Sequence, residues 1–130
     1  MHNSAALAQY QDVAVDCRVA GSSPHSLVSM LFDGILKNLA IANGAIDRDD
    51  VAEKGSKISA AIRIIDSLRA SLDLEKGGDL AENLRALYDY MERRLAEANM
   101  ENDKTILREV TSLVDSLKSG WDAMPPEFKG

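Results

Sequence analysis

The stretch GGDLAENLRALYDYMERRLAEANMENDKTIL, residues 77–107, decides the fold. Gly77-Gly78 is a stop signal, and Asp79 with Glu82 three residues on has the spacing of a capping box at a helix start. Leu80, Leu84, Leu87, Tyr88, Met91, Leu95 and Ala98 then recur at helical spacing. Asn102-Asp103 interrupts the pattern, and Ile106 opens a new stripe of the same kind. Two helices separated by so few residues must run antiparallel.

Working outward, the same signals repeat. Downstream, Ile106, Val110, Leu113, Val114, Leu117 and Trp121 form one face, ended by Pro125-Pro126. Upstream, Asp50 and Glu53 repeat the capping-box spacing ahead of Val51, Gly55, Ile58, Ile62, Ile65, Leu68 and Leu72, and Gly77-Gly78 is expected to end that helix. The first helix starts at Ser23-Pro24, with Ser23 as cap and Pro24 at the first helical position. Its stripe is Val28, Leu31, Phe32, Ile35, Leu39, Ala42 and Ile46. Gly34 and Gly44 inside it each cost about 1 kcal/mol against alanine, which suggests close helix packing there. No proline lies between Pro24 and Pro125, and no alternating strand pattern persists.

Four blocks of about 20 residues, each about 30 Å as a helix, predict an all-α, antiparallel up-down four-helix bundle over 22–124. Residues 1–21 are expected to form a partly helical or flexible N-terminal segment docked on it, and 125–130 a flexible tail. The 130 residues suffice for one domain with its own core, and a hydrophobic content of 45% fits a globular chain. The formal charge of −6 and pI near 4.8 argue against nucleic acid and anionic membranes, which need a basic footprint. The single cysteine, Cys17, permits no internal disulfide and reads as an incidental residue of a reducing compartment. There is no secretory signal and no apolar run of membrane-spanning length, so a cytoplasmic protein without membrane insertion is expected.

Catalytic chemistry finds no support in the residue pattern. A di-metal bundle needs Glu-x-x-His pairs, and neither His2 nor His25 stands three residues after a glutamate. No zinc spacing, phosphate-cradling loop or nucleophile–histidine pair is present, so no cofactor, metal or catalytic residue is expected. A histidine phosphotransfer bundle is the alternative from another class. His25 suits it poorly, because it lies in a first helical turn with no Lys or Arg at 26–32. Arg85, Asp89 and Arg93, at steps of four, read as a solvated face with weak ion pairs and not as a binding site.

At this point the motifs resemble a known family. Ser23-Pro24-His25-Ser26-Leu27-Val28-Ser29-Met30-Leu31-Phe32-Asp33-Gly34 is similar to the first-helix signature of the flagellar secretion chaperones, FliS. The run from Ser71 to Leu84 resembles that family's second-to-third helix junction, and Leu87-Tyr88-Asp89-Tyr90-Met91 with Arg94-Leu95 and Ala98-Asn99 resembles its third helix. Lys54-Gly55 and Trp121 also fall at family positions. The resemblance runs in order from about Tyr10 to Trp121; Phe32 departs from it, where the family more often has tyrosine.

The resemblance implies a non-enzymatic cytoplasmic chaperone that binds the C-terminal segment of flagellin, stops early polymerisation and delivers it to the flagellar export gate. Some members also contact an anti-sigma factor. It further implies that the N-terminal segment, here with Leu7 and Tyr10 in the family's pattern, covers part of the client surface.

The residues themselves agree at one point: the apolar stripes are wider than a four-helix core requires. Ile64 and Tyr90 lie off the main stripes, and Leu68 and Leu87 border them. The expected partner-binding set is therefore Leu7, Tyr10, Ile64, Leu68, Leu87, Tyr90 and Met91. Ile58, Ile62, Ile65, Leu84, Tyr88 and Leu95 are assigned to plain core packing. A helical adaptor for a different client is the bland alternative within the same fold.

Overall fold

The computed structural model describes residues 24–124. It contains α1 (Pro24–Asp47), α2 (Val51–Ala70), α3 (Leu74–Glu101) and α4 (Lys104–Ala123). Each helix packs on the next, and α4 closes back onto α1. Three cross-links fix the directions. Lys54 near the start of α2 reaches Asn99 near the end of α3, and Lys104 at the start of α4 reaches Asp47 at the end of α1. Trp121 near the end of α4 donates from Nε1 to the His25 carbonyl, in the first turn of α1, at 2.8 Å. Neighbours are antiparallel, and the molecule is the all-α up-down four-helix bundle that the spacing predicts. The expected Ser23 cap, the segment over 1–21 with Leu7, Tyr10 and Cys17, and the tail over 125–130 lie outside the described residues.

The core is built where the stripes place it, with instructive exceptions. Leu31, Phe32, Ile35, Leu39 and Ala42 of α1 are buried, as are Ile58, Ile65 and Leu68 of α2, Tyr88, Met91, Leu95 and Ala98 of α3, and Ile106, Val110 and Val114 of α4. Leu107 also belongs to the core and is missing from the predicted stripe. Val51 and Leu80, assigned to the core faces, are 67% and 62% exposed. Val51 is the first residue of α2, and Leu80 lies in the second turn of α3. Lys54 and Ala81 are buried on the same helices instead. Gly44 does not mark a close helix approach: an added Cβ would meet only the guanidinium of Arg48, at 3.2 Å.

The largest correction concerns the start of α3. The helix after Asp50 ends at Ala70, not at Gly77, and the capping residue of the next is Asp73, not Asp79. Asp73 accepts from the Lys76 amide at 3.0 Å, so Leu74–Gly77 already forms a helical turn. Gly78 then breaks the axis, with φ 54° and ψ −133°, a conformation that L side chains disfavour. Gly77 has a separate requirement, because a Cβ there would stand 2.6 Å from that of the buried Ala81. Glu82 pairs with Arg85 instead of reaching back to a cap. At Asp50 half of the predicted box forms: its carboxylate accepts from the Glu53 amide, while the Glu53 side chain turns to Arg48.

Candidate functional site

Of the seven residues singled out from the sequence, five lie among the described residues, and three of those five are core. Met91 is fully buried, and Leu68 and Ile64 are 3% and 7% exposed, all three within the core. Ile64 therefore does not lie off the α2 stripe, whose buried arc is wide enough to take Ile64 and Ile65 together. Leu87 and Tyr90 are half-buried at the edge of the core, and they remain open to a partner. Leu7 and Tyr10 fall outside the described residues.

Leu87 and Tyr90, three residues apart, share the edge of α3 that faces α4. Tyr90 Oη donates to Glu109 Oε2 at 2.5 Å, and Arg94 Nε, one turn further along α3, donates to Glu109 Oε1 at 2.8 Å. Arg94 also pairs with Glu97 at 2.7 Å, and the Arg93 guanidinium lies 5.8 Å from the centre of the Tyr90 ring. The bonds from Tyr90 and Arg94 hold the Glu109 carboxyl below the usual carboxylate range, and the bond to Glu109 raises the Tyr90 phenol. This polar frame holds the Tyr90 ring by its hydroxyl, and the ring and Leu87 both stay half-buried at the rim of the core. The chemistry it offers is contact: a fixed aromatic, an adjacent leucine, and arginines for polar or acidic groups of a partner.

A second opening lies on the α1–α4 seam, where sequence reasoning had placed nothing. A groove of about 370 Å³ is lined by Leu36, Leu39, Ala40, Asn43, Leu107 and Thr111, among others. The small side chains of Ala40 and Thr111 leave the room, and Asn43 Oδ1 is buried with no hydrogen-bond partner. A run of small residues flanking a stripe was the available signal.

His25 is placed against the phosphotransfer alternative. Its ring stacks on Trp121 with centroids 5.2 Å apart, and its Nε2 is buried. The charged row on α3 is the solvated face expected, with Arg85, Asp89 and Arg93 all exposed. Asp89 pairs across the seam with Arg69 of α2, Arg85 pairs with Glu82, and Arg93 lies near Tyr90. Among the described residues there is no group of His, Cys, Asp and Glu able to hold a metal ion, and no helix long and apolar enough to cross a membrane.

Comparison with known proteins adds a family. The family model described as "Flagellar protein FliS" matches residues 6–127. The flagellar secretion chaperone FliSB of Pseudomonas aeruginosa is 47% identical over 124 residues, covering 95% of this chain and 98% of that protein. Flagellar secretion chaperone FliS of Salmonella typhimurium is 42% identical over 128 residues, covering 98% and 95%. That of Vibrio cholerae is 38% identical over 122 residues, covering 94% and 90%.

Proposed function

The chain belongs to the FliS family of flagellar proteins, and on that premise we propose that it is a cytoplasmic export chaperone for flagellin. In this reading it binds the C-terminal segment of flagellin, prevents premature polymerisation and hands the client to the flagellar export gate. An anti-sigma factor is a further partner in the same reading. It acts by binding, without catalysis. The observation that carries the proposal is likeness over nearly the whole chain to proteins named flagellar secretion chaperones.

The client surface in this proposal centres on Leu87 and Tyr90, and Leu7 and Tyr10 of the N-terminal segment belong to the same binding set. Ile64, Leu68 and Met91 serve from beneath, as the packed floor that keeps that surface in shape. The α1–α4 groove gives a client that wraps around the bundle a second apolar seat. Burying about 1,000 Å² of apolar surface yields roughly 25 kcal/mol gross, most of it offset by ordering a disordered segment. The net affinity is then moderate, as release at the export gate requires.

Co-purification with flagellin, intact or lacking its C-terminal ~50 residues (two or three helices that span the bundle), tests the cargo. A complex with intact flagellin and none with the truncated form is expected; no complex with either sinks the assignment. Leu87→Asp should weaken the complex about tenfold or more while the helical circular-dichroism signal is kept.

A further inference from the structure

Four charged side chains meet across the α2–α3 seam, on the edge of α3 away from Tyr90. Asp66 and Arg69 come from α2, and Asp89 and Glu92 from α3. The Arg69 guanidinium contacts Asp66, lies 2.5 Å from Asp89 Oδ1, and stands 3.7 Å from Glu92 Oε2. The Asp66 and Asp89 side chains are 48% and 50% exposed, whereas that of Glu92 is 18% exposed and its Oε2 is buried without a hydrogen-bond partner.

One cation thus faces three carboxylates, and the two solvated ones take its short contacts. Glu92, the most buried, receives the weakest compensation. The same guanidinium holds Asp66, so Asp66 and Glu92 face one cation from the two sides of the seam. Two carboxyl groups can bond only when one of them holds a proton, because an ionised carboxylate has no donor. Burial first and Asp66 next push Glu92 up to about 7, with Arg69 opposing and Asp89 adding to the rise. The remaining charge on this edge of α3, Arg85, is engaged by Glu82.

We propose that Glu92 and Asp66 share a proton across the α2–α3 seam, framed by Arg69 and Asp89, and that this pair is a proton-sensitive clamp between the two helices. The sign follows from linkage. A glutamate that binds its proton more tightly in the folded chain contributes stability that is complete below the ordinary glutamate range. That contribution is lost as pH rises through about 7. The clamp tightens the seam on the acidic side and slackens it on the alkaline side.

Carboxyl-carbon NMR titration of the full chain tests the pairing directly. A Glu92 midpoint near 7 is expected, falling toward the ordinary glutamate range in Asp66→Asn. A Glu92 midpoint within that range in the unmodified chain overturns the proposal. Thermal unfolding of the unmodified chain and Glu92→Gln, at pH 5 and pH 8, supplies the second readout. The Tm difference should shift by about 2–4 °C in favour of the variant between the two pH values; a difference that does not change with pH overturns the clamp.

Discussion

Asp73 opens α3 and Asp103 opens α4 with the same cap, a carboxylate oxygen accepting an amide two or three residues on, but what stands behind each cap differs. At the α3–α4 junction, Asn102 is left-handed with φ 54° and ψ 41°, and its amide closes onto the Ala98 carbonyl. Lys54, from α2 and 5% exposed, donates to the Asn99 carbonyl at 2.8 Å and to Asn102 Oδ1 at 2.5 Å. The last carbonyls of a helix have no partner of their own and carry partial negative charge, so a buried cation there is well placed. The α2–α3 junction is held by a cap, one turn and a glycine kink with Leu74 and Leu80 exposed on either side, and by Leu72 packed against the core. Identical caps do not make equivalent junctions; a partner from another helix does.

The largest effect expected from this contrast is at Lys54. Lys54→Met keeps most of the apolar stem and removes both hydrogen bonds, taking the buried cation away from the part-buried Asn99 carbonyl and from Asn102 Oδ1. A loss of about 2–3 kcal/mol is expected in urea unfolding. Lys76→Met, at the exposed junction, should change stability by less than ~0.5 kcal/mol. Equal losses at the two lysines would break the comparison.

The kink comes next. Gly78 has open space where a Cβ would be added, so Gly78→Ala meets no neighbour and feels only its backbone conformation. A cost of about 1–2 kcal/mol is expected in unfolding. Hydrogen exchange should become faster at the amides of the turn before it. A neutral Gly78→Ala would mean that the turn Leu74–Gly77 re-forms as one straight helix, and that the junction holds no defined shape.

How these features showed in the sequence follows from how local each one is. The break at Gly77-Gly78 was legible as a break, but not that a helical turn precedes it. Asp73 and Asp79 are equally good caps, and only the fit of Ala81 under Gly77 chooses between them. The α4 cap was legible because Asn102 and Asp103 act within one turn. Lys54 was not, since a lysine beside Gly55 carries no hint of an acceptor 45 positions away. At the proposed client surface, periodicity put Met91 and Leu68 on the core stripes, where they are buried, set Tyr90 off its stripe, and failed for Ile64. Burial in a bundle depends on how wide an arc the two neighbouring helices cover, which one helix's spacing does not contain. The frame of Glu109 and Arg94 around Tyr90 was invisible for the same reason.

The smallest expected effect separates the caps themselves. Asp103 accepts from both the Thr105 and Ile106 amides and starts a helix whose first turn carries buried Ile106 and Leu107. Its cap therefore holds core residues in register, and Asp103→Ala should cost about 1 kcal/mol. Asp73 caps a turn whose residues are all exposed, from Leu74 to Gly77, ahead of a kink. When that cap is lost the turn can fray with Ala81, beneath Gly77, as the one small buried residue beside it, so Asp73→Ala should cost less than ~0.5 kcal/mol in global unfolding. Its effect should appear instead as faster exchange confined to the amides of that turn. If Asp73→Ala matched Asp103→Ala in global stability, the turn would have to be packed on the bundle rather than merely capped.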